Sequence, residues 1–150
     1  MIGPKEKKER ALGEHLNIKG ERCSSPKCAV VRRPYPPGTQ GKSKRRRAVS
    51  DFGKQIREKQ KFKITYGVDD RNLRRLYAAA GKKAGEVSAS LLRSLEGRLD
   101  SVIFRLGLSK SRLSARQLIV HGHILVNGRR VRSPGFELKN GDTISVRAES

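Results

Sequence analysis

Apolar residues recur at helical spacing through the middle of the chain and change to alternation near its end. From Asp70, the positions Leu73, Leu76, Tyr77, Ala80 and Ala84 follow an i, i+3, i+4, i+7, i+11 pattern, which predicts an amphipathic helix ended by Gly85. Ser88 caps the next stretch, where Leu91, Leu92, Leu95, Leu99, Val102, Ile103 and Leu106 trace a strong core face that Gly97 bends or divides. An earlier helix starts at Ser50-Asp51, with Ser50 as N-cap, and runs to about Tyr66-Gly67 on a thin stripe of Phe52, Ile56 and Ile64. After Gly107, a short helix capped by Ser109 or Ser111 turns Leu113, Ala115, Leu118 and Ile119 inward and closes at Gly122. Ile124 and Val126 then alternate with polar residues into Asn127-Gly128, two residues that accept the positive φ of a type I′ turn, with Val131 on the return strand. Asn140-Gly141 makes another turn before a final strand around Thr143–Val146.

Residues 1–47 show no sustained periodicity, and the proline-rich, basic stretch RRPYPPGTQGKSKRRR excludes a helix or a central strand there. The expected fold class is α+β: a basic extended arm over 1–47, a small helical domain over 48–97, and a module of two helices plus short antiparallel strands over 98–150. With few apolar side chains to offset ordering entropy, the arm is expected to order on its partner. A ~50-residue module buries only about 60% of its unfolded surface, so partner contacts are expected to help hold it too.

Charge identifies that partner. The 150 residues carry 35 Lys and Arg against 14 Asp and Glu, a net charge of +21. Residues 1–63 hold +13 of it, residues 64–97 only +2, and residues 98–150 the remaining +6. A chain this basic repels itself unless an anion neutralises it, and nucleic acid gains from such docking by releasing its counterions. No segment approaches the ~18 apolar residues of a membrane span. MIGPKEKKER has no apolar run and is no secretory signal, so a cytosolic or organelle-matrix protein is expected.

The residues expected to touch nucleic acid follow from the same pattern. In the arm they are Lys19, Arg22, Arg32, Arg33, Tyr35, Lys44, Arg45, Arg46 and Arg47; on the first long helix they are Lys54, Arg57, Lys59 and Lys61. In the module they are Ser109, Lys110, Ser111, Arg112, Arg116, Gln117, His121, His123, Asn127, Arg129 and Arg130, with Arg132 beside them. Guanidinium forks bind phosphate bidentately, and side-chain amides reach sugars or base edges. No phosphate-binding G-x-x-x-x-G-K-[ST] loop or G-x-G-x-x-G fingerprint is present, and His121 and His123 lack an acidic neighbour. Asp69, Asp70 and Asp100 read as helix-start charges. No catalysis, cofactor or small-molecule substrate is expected.

SRLSARQLIVHGHILVNGRRVRSP, followed by NGDTISV, resembles the small RNA-binding module named after ribosomal protein S4, which also occurs in some pseudouridine synthases, a tyrosyl-tRNA synthetase and a heat-shock recycling factor. KGERCSSPKCAVVRRPYPPG, SDFGKQIREKQKFKITYGV and SLLRSLEGRLDSVIFRLG, in that order, resemble successive segments of the bacterial S4 family itself. The resemblance implies a structural part of the small ribosomal subunit in the cytoplasm that binds 16S ribosomal RNA early, at a helix junction of the 5′ domain. It also implies a place beside the small-subunit protein numbered five and near the channel through which messenger RNA enters. Members of the family usually continue well past the module, whereas this sequence ends at Ser150. In zinc-binding relatives a CxxC pair joins the pair matching Cys23 and Cys28, and here its positions hold Glu6 and Glu9. Glu6, Glu9 and His15 could supply further donors, but such a shell is unusual for structural zinc, and Lys5, Lys7 and Lys8 oppose a cation. The expectation is therefore no metal, with Cys23 and Cys28 packed as small hydrophobes and His15 alone in the arm.

Overall fold

The computed structural model describes residues 5–43, 48–82 and 85–147, which leaves the predicted contact residues Lys44, Arg45, Arg46 and Arg47, and the stripe residue Ala84, outside the described residues. The chain divides into two compact units, residues 1–69 and residues 70–150.

In the first unit the segment expected to be extended contains helices. These are α1 (Lys5–Leu12) and the single turn α2 (Ala29–Arg32), with 3-10 turns at Gly20–Arg22 and Thr39–Lys42. KEKKERAL is built from residues of high helix propensity. The helix ends where Gly13, at φ +74°, donates its amide to the Glu9 carbonyl at 3.0 Å. Hydrophobic periodicity does not announce α1 because its anchor is a carboxylate. Glu9 is fully buried, and its Oε1 accepts the amides of Leu16 (3.1 Å) and Ile18 (3.2 Å). Ile18, Cys23 and Cys28 are buried as well. The prolines do keep the α-helix out of the described part of 33–43, and the buried Gly41 there leaves no room for a side chain, since a Cβ would stand 1.9 Å from the Pro36 carbonyl oxygen. Helix α3 (Asp51–Thr65) begins as expected, with the Ser50 Oγ accepting the Gly53 amide at 3.2 Å. Its predicted stripe holds only in part. Ile64 is buried, followed by Tyr66 and Val68, whereas Phe52 and Ile56 are exposed. The packed part of this element is its C-terminal end, where Phe62 also stacks on Tyr66.

The second unit comprises α4 (Asp70–Gly81), α5 (Val87–Glu96), α6 (Leu99–Arg105), α7 (Arg112–His121) and the strands β1 (Ile124–Val126), β2 (Arg129–Arg130) and β3 (Ile144–Val146). The sheet order is β2-β1-β3, antiparallel throughout, with Leu125 opposite Arg130 on one side and Ser145 on the other. Asn127 and Gly128 have φ of +51° and +74°, the positive pair the hairpin requires. Val131 lies just past β2, yet its amide still reaches the Ile124 carbonyl at 3.3 Å. The long apolar stretch is two helices, divided at Gly97 because the chain there turns to pair with a later segment. Leu99 and Asp100 donate to the carbonyls of Phe136 (2.8 Å) and Pro134 (3.2 Å), and Leu138 donates to Gly97 (2.9 Å). Glu86, not Ser88, occupies the N-cap of α5, and the Ser88 hydroxyl donates to the Glu86 carboxylate.

Leu99, Ile103, Ala115, Ile119, Ile124 and Val126 form the buried core, with Leu118, Val131, Leu138 and Ile144 packed against it. Leu95 and Ala80 are buried too, while the stripe residues Tyr77, Leu92 and Leu106 face solvent, so each predicted stripe is wider than the face it buries. Ile119→Ala should lower stability by roughly 2–5 kcal/mol through lost burial and a cavity. The neighbouring Val120→Ala, at a position 51% exposed, should stay within about 0.5–1 kcal/mol in the same urea titration. Equal losses at both positions would place α7 in the wrong rotation.

Candidate nucleic-acid interface

Helix α7 and the hairpin after it form a rigid mount. Ser111 caps the helix start, its Oγ accepting the Ser114 amide at 3.2 Å. Gly122 closes the helix at φ +80°, where Arg130 Nε donates to the Gly122 carbonyl (3.1 Å) and Arg130 Nη2 to that of His121 (2.8 Å). The positive φ calls for glycine at 122, and a Cβ there, 2.0 Å from Arg130 Nε, would also push the guanidinium off the helix end. Asn127 ties the hairpin to β3: its Nδ2 donates to Asp142 Oδ1 (2.8 Å), and its Oδ1 accepts the Thr143 amide (2.9 Å). The Lys139 amide, and after it the Asn127 amide, hold the Asp142 carboxyl below the usual carboxylate range. That contribution is present above the ordinary carboxylate range and is lost as pH falls through the lowered value.

Arg112 is held inside as well. Its Nη2 lies 3.1 Å from Glu96 Oε1, its guanidinium carbon is 4.8 Å from the Phe104 ring centroid, and only 15% of the side chain is exposed. Arg105 takes the same Glu96 carboxylate bidentately, at 2.9 and 3.1 Å, so one acid at the end of α5 gathers α6 and α7. Of the predicted contact residues in this module, Ser111, Arg112, Asn127 and Arg130 therefore serve the fold. Lys110, Arg116, Gln117, His121 and Arg129 stay exposed, with Ser109 and His123 half-buried. Gln117 and His121 stand one helical turn apart beside Arg116 on α7.

In the first unit, Arg32, Arg33 and Arg57 are exposed. Lys19 and Arg22 pair with Glu6 (3.5 and 3.0 Å), and Lys54 pairs with Asp51 (2.9 Å). Lys61 lies between Glu14 (2.8 Å) and Glu58 (2.9 Å), which raise its ammonium, Glu14 most. Lys59 is half-buried. Exposed pairs of this kind add little to stability. Sequence reasoning missed Arg10 and Lys42, which frame Tyr35. Arg10 donates to the carbonyls of Arg33 (3.0 Å) and Tyr35 (2.9 Å) and stands 5.0 Å from the ring centroid, with the Lys42 ammonium at 5.3 Å. Lys7, Arg10, Arg33, Tyr35 and Lys42 are among the residues lining a cleft of about 660 Å³, with Glu6 also in its wall. A basic run gives no sign of which of its members will meet a ring.

His15 does not stand alone. Its Nε2 lies 3.2 Å from Cys28 Sγ, and one donor atom each from His15, Cys23 and Cys28 falls within 4.8 Å of the others. Burial raises the Cys23 thiol, against the opposing Lys19 amide, and Glu9, Cys28 and Glu6 push it further up. Burial also works to raise the Cys28 thiol, but the amides of Val31 and Val30 and the His15 imidazole together bring it below its ordinary value. Glu9 Oε2 is buried with no hydrogen-bond partner among the described residues. Two thiols, an imidazole and an orphaned carboxylate oxygen fit a zinc-type cation better than the pair of inert thiols expected from the sequence.

Residues 1–96 match the family described as ribosomal protein S4/S9 N-terminal domain, and residues 97–144 match the S4 domain. The small ribosomal subunit protein uS4 of Thermus thermophilus is 50% identical over 149 residues, covering 99% of this chain and 71% of that protein. The uS4 of Pelotomaculum thermopropionicum is 50% identical over 141 residues (94% and 67%), and that of Kosmotoga olearia is 44% identical over 148 residues (99% and 70%).

Arg112→Glu, which sets a second carboxylate against Glu96, should destabilise the fold by roughly 2–3 kcal/mol in thermal melting. Arg116→Glu, at an exposed position, should shift stability by no more than about 0.5 kcal/mol. A melting profile unchanged in Arg112→Glu would show that the Glu96 cluster does not hold the helices.

Proposed function

The chain belongs to the ribosomal protein S4 family, and from that premise we propose that it is a structural, RNA-binding component of the small ribosomal subunit and not an enzyme. The observation that carries the reading is the division of labour on the α7–hairpin mount. Internal bonds immobilise Arg112, Asn127 and Arg130, while Lys110, Arg116, Gln117, His121 and Arg129 remain on the outside. A surface fixed this way recognises a folded RNA by shape. Its cations meet phosphates at set spacings, and its amide and imidazole groups reach sugar hydroxyls and base edges. The cleft at Tyr35 adds a second basic surface in the other unit. With 35 cationic side chains in 150 residues, the electrostatic part of binding is large.

The finer target follows from the family resemblance. It is 16S ribosomal RNA at a helix junction of the 5′ domain, bound early in assembly. The neighbours it implies are the small-subunit protein numbered five and messenger RNA where it enters. No helix among the described residues is long and apolar enough to cross a membrane, and the resemblance points to the cytoplasm.

Tagged full chain sedimented with separated subunits should travel with the small one; recovery with the large subunit alone would end this reading. In filter binding, affinity should drop on the order of 10³–10⁵-fold between about 50 and 200 mM salt if ~6–10 phosphates are neutralised. At matched salt a folded 16S junction should still outcompete a random duplex, and equal affinity for the two would reduce the chain to a nonspecific polycation. Arg116→Glu should weaken junction binding while leaving the melt in place.

A further inference from the structure

Two Asn-Gly pairs stand in turns of the second unit, and the structure treats them in opposite ways. At Asn127-Gly128 both polar ends of the side chain are engaged: Nδ2 donates to Asp142 Oδ1 at 2.8 Å, and Oδ1 accepts the Thr143 amide at 2.9 Å. At Asn140-Gly141 the side chain is exposed and makes no hydrogen bond among the described residues. The Gly141 amide meets no backbone carbonyl there either, and a Cβ on Gly141, at φ +96°, would find nothing within 4 Å. Asn140 Cγ and the Gly141 nitrogen therefore lie next to each other on an open turn. It is closed by the Asp142 amide, which donates to the Lys139 carbonyl at 3.1 Å, and by the Lys139 amide, which donates to Asp142 Oδ2 at 2.8 Å.

We propose that Asn140 is a site of spontaneous deamidation and isoaspartate formation, and that the fold protects Asn127 from the same reaction. The Gly141 nitrogen loses its proton to hydroxide and attacks Asn140 Cγ. The bond from Cγ to the side-chain nitrogen breaks, ammonia leaves with a proton from water, and a cyclic imide remains. Water then opens the imide at either carbonyl, which gives aspartate or, where the chain is rerouted through Cβ, isoaspartate. Glycine in the following position favours ring closure, because it adds no side chain to crowd the attack and leaves the backbone its widest freedom. The ring also requires the asparagine side chain to swing over the following peptide, so a bonded side chain must first let go. Two hydrogen bonds of ordinary net strength make that event rarer at Asn127 on the order of 10–100-fold.

The change reaches beyond the turn. Asp142, which closes it, is also the acceptor for Asn127, so this turn and the hairpin of the α7 mount share one carboxylate. Aspartate at 140 adds a like charge close to Asp142, and isoaspartate lengthens the backbone inside the turn that leads into β3. Both act against the Asp142 bonds and so loosen the hairpin. That consequence for nucleic-acid contact rests on the proposed RNA-binding reading; the reaction itself does not.

The test ages the full, folded chain in warm, mildly alkaline buffer made with heavy-oxygen water and maps its peptides by mass spectrometry. Asn140 should show the mass change of an amide turned acid, mostly as isoaspartate, and the aged chain should accept methyl groups from an isoaspartyl carboxyl methyltransferase. Asn127 should convert on the order of 10–100-fold more slowly. In urea-unfolded chain the two rates should draw within a few-fold, since the fold supplies the difference. Asp142→Ala, which removes one of the two bonds on Asn127, should speed that site by roughly 3–10-fold. Circular dichroism checks that this variant folds, and the folded-against-unfolded comparison of the unaltered chain decides without it. Asn140→Gln should remove most of the methyl acceptance. Equal rates at both sites in the folded chain, or Asn140 intact while Asn127 converts, would overturn the proposal. Aged chain, separated by its extra negative charge, should hold a folded 16S junction more weakly than fresh chain at matched salt. Undiminished binding would remove the effect on the hairpin and leave the modification; fresh chain without preference for the junction would end the RNA reading and leave the modification.

Discussion

Gly97, Leu99 and Asp100 exchange backbone hydrogen bonds with Leu138, Phe136 and Pro134, and the second unit takes its form from that pairing. It stops α5 and restarts the chain as α6, where an unbroken helix would have carried Leu99 and Ile103 past the sheet. Arg98 secures the junction. Its guanidinium grips Asp100 bidentately at 3.0 and 2.7 Å in a nearly buried pair, so the residue between the two helices is fixed by charge as well as by backbone. Once α6 is placed, α7 packs on it, and β1, the middle strand of the sheet, closes the core through Ile124 and Val126.

The surface that faces outward depends on residues that do not. Glu96 gathers Arg105 and Arg112 behind α7, Arg130 satisfies the last carbonyls of that helix, and the Asn127 side chain bonds β3 to the hairpin turn. Each bond removes a conformational freedom from the mount. On the proposed reading, the entropy lost when a folded RNA docks there is smaller than for a flexible basic tail, whose side chains order only on binding.

Much of this could be read from residue order. The Ser50 and Ser111 caps, the Gly122 closure and the Asn127-Gly128 hairpin rest on local chemistry that neighbouring residues determine, whereas the break at Gly97, though marked by its glycine, is fixed by pairing with residues 134–138. The arm could not be read the same way. Helix α1 is anchored by Glu9, and a pattern search for apolar stripes passes over a buried carboxylate whose partners, the amides of Leu16 and Ile18, carry no sequence signature. Roles within the cationic set were equally hidden. Arg112 and Arg116 share one helix and one charge, yet one meets Glu96 and Phe104 across the fold while the other stays on the exposed face. Which arginine meets Glu96 depends on how the fold brings the end of α5 to the start of α7, a tertiary fact. The stripes of α3 and α4 overstated burial because Phe52 and Tyr77 satisfy helical spacing yet stay 71% and 61% exposed.

The acids show how so basic a chain folds at all. Glu6 answers Lys19 and Arg22, Glu14 and Glu58 answer Lys61, Glu96 answers Arg105 and Arg112, and Asp100 answers Arg98. Three of these groupings (Glu14 with Lys61, Glu96 with its arginines, Glu6 with Lys19 and Arg22) join segments distant in sequence, so scarce negative charge sits where repulsion would otherwise part the elements. Acids placed there leave the cationic excess on solvent-facing positions, where self-repulsion is weakest in high dielectric and a polyanion can reach it. The same placement that lets the chain fold therefore sorts its cations: those that meet an acid across the fold hold the structure, and the exposed ones supply the surface on which the proposed RNA contacts rest.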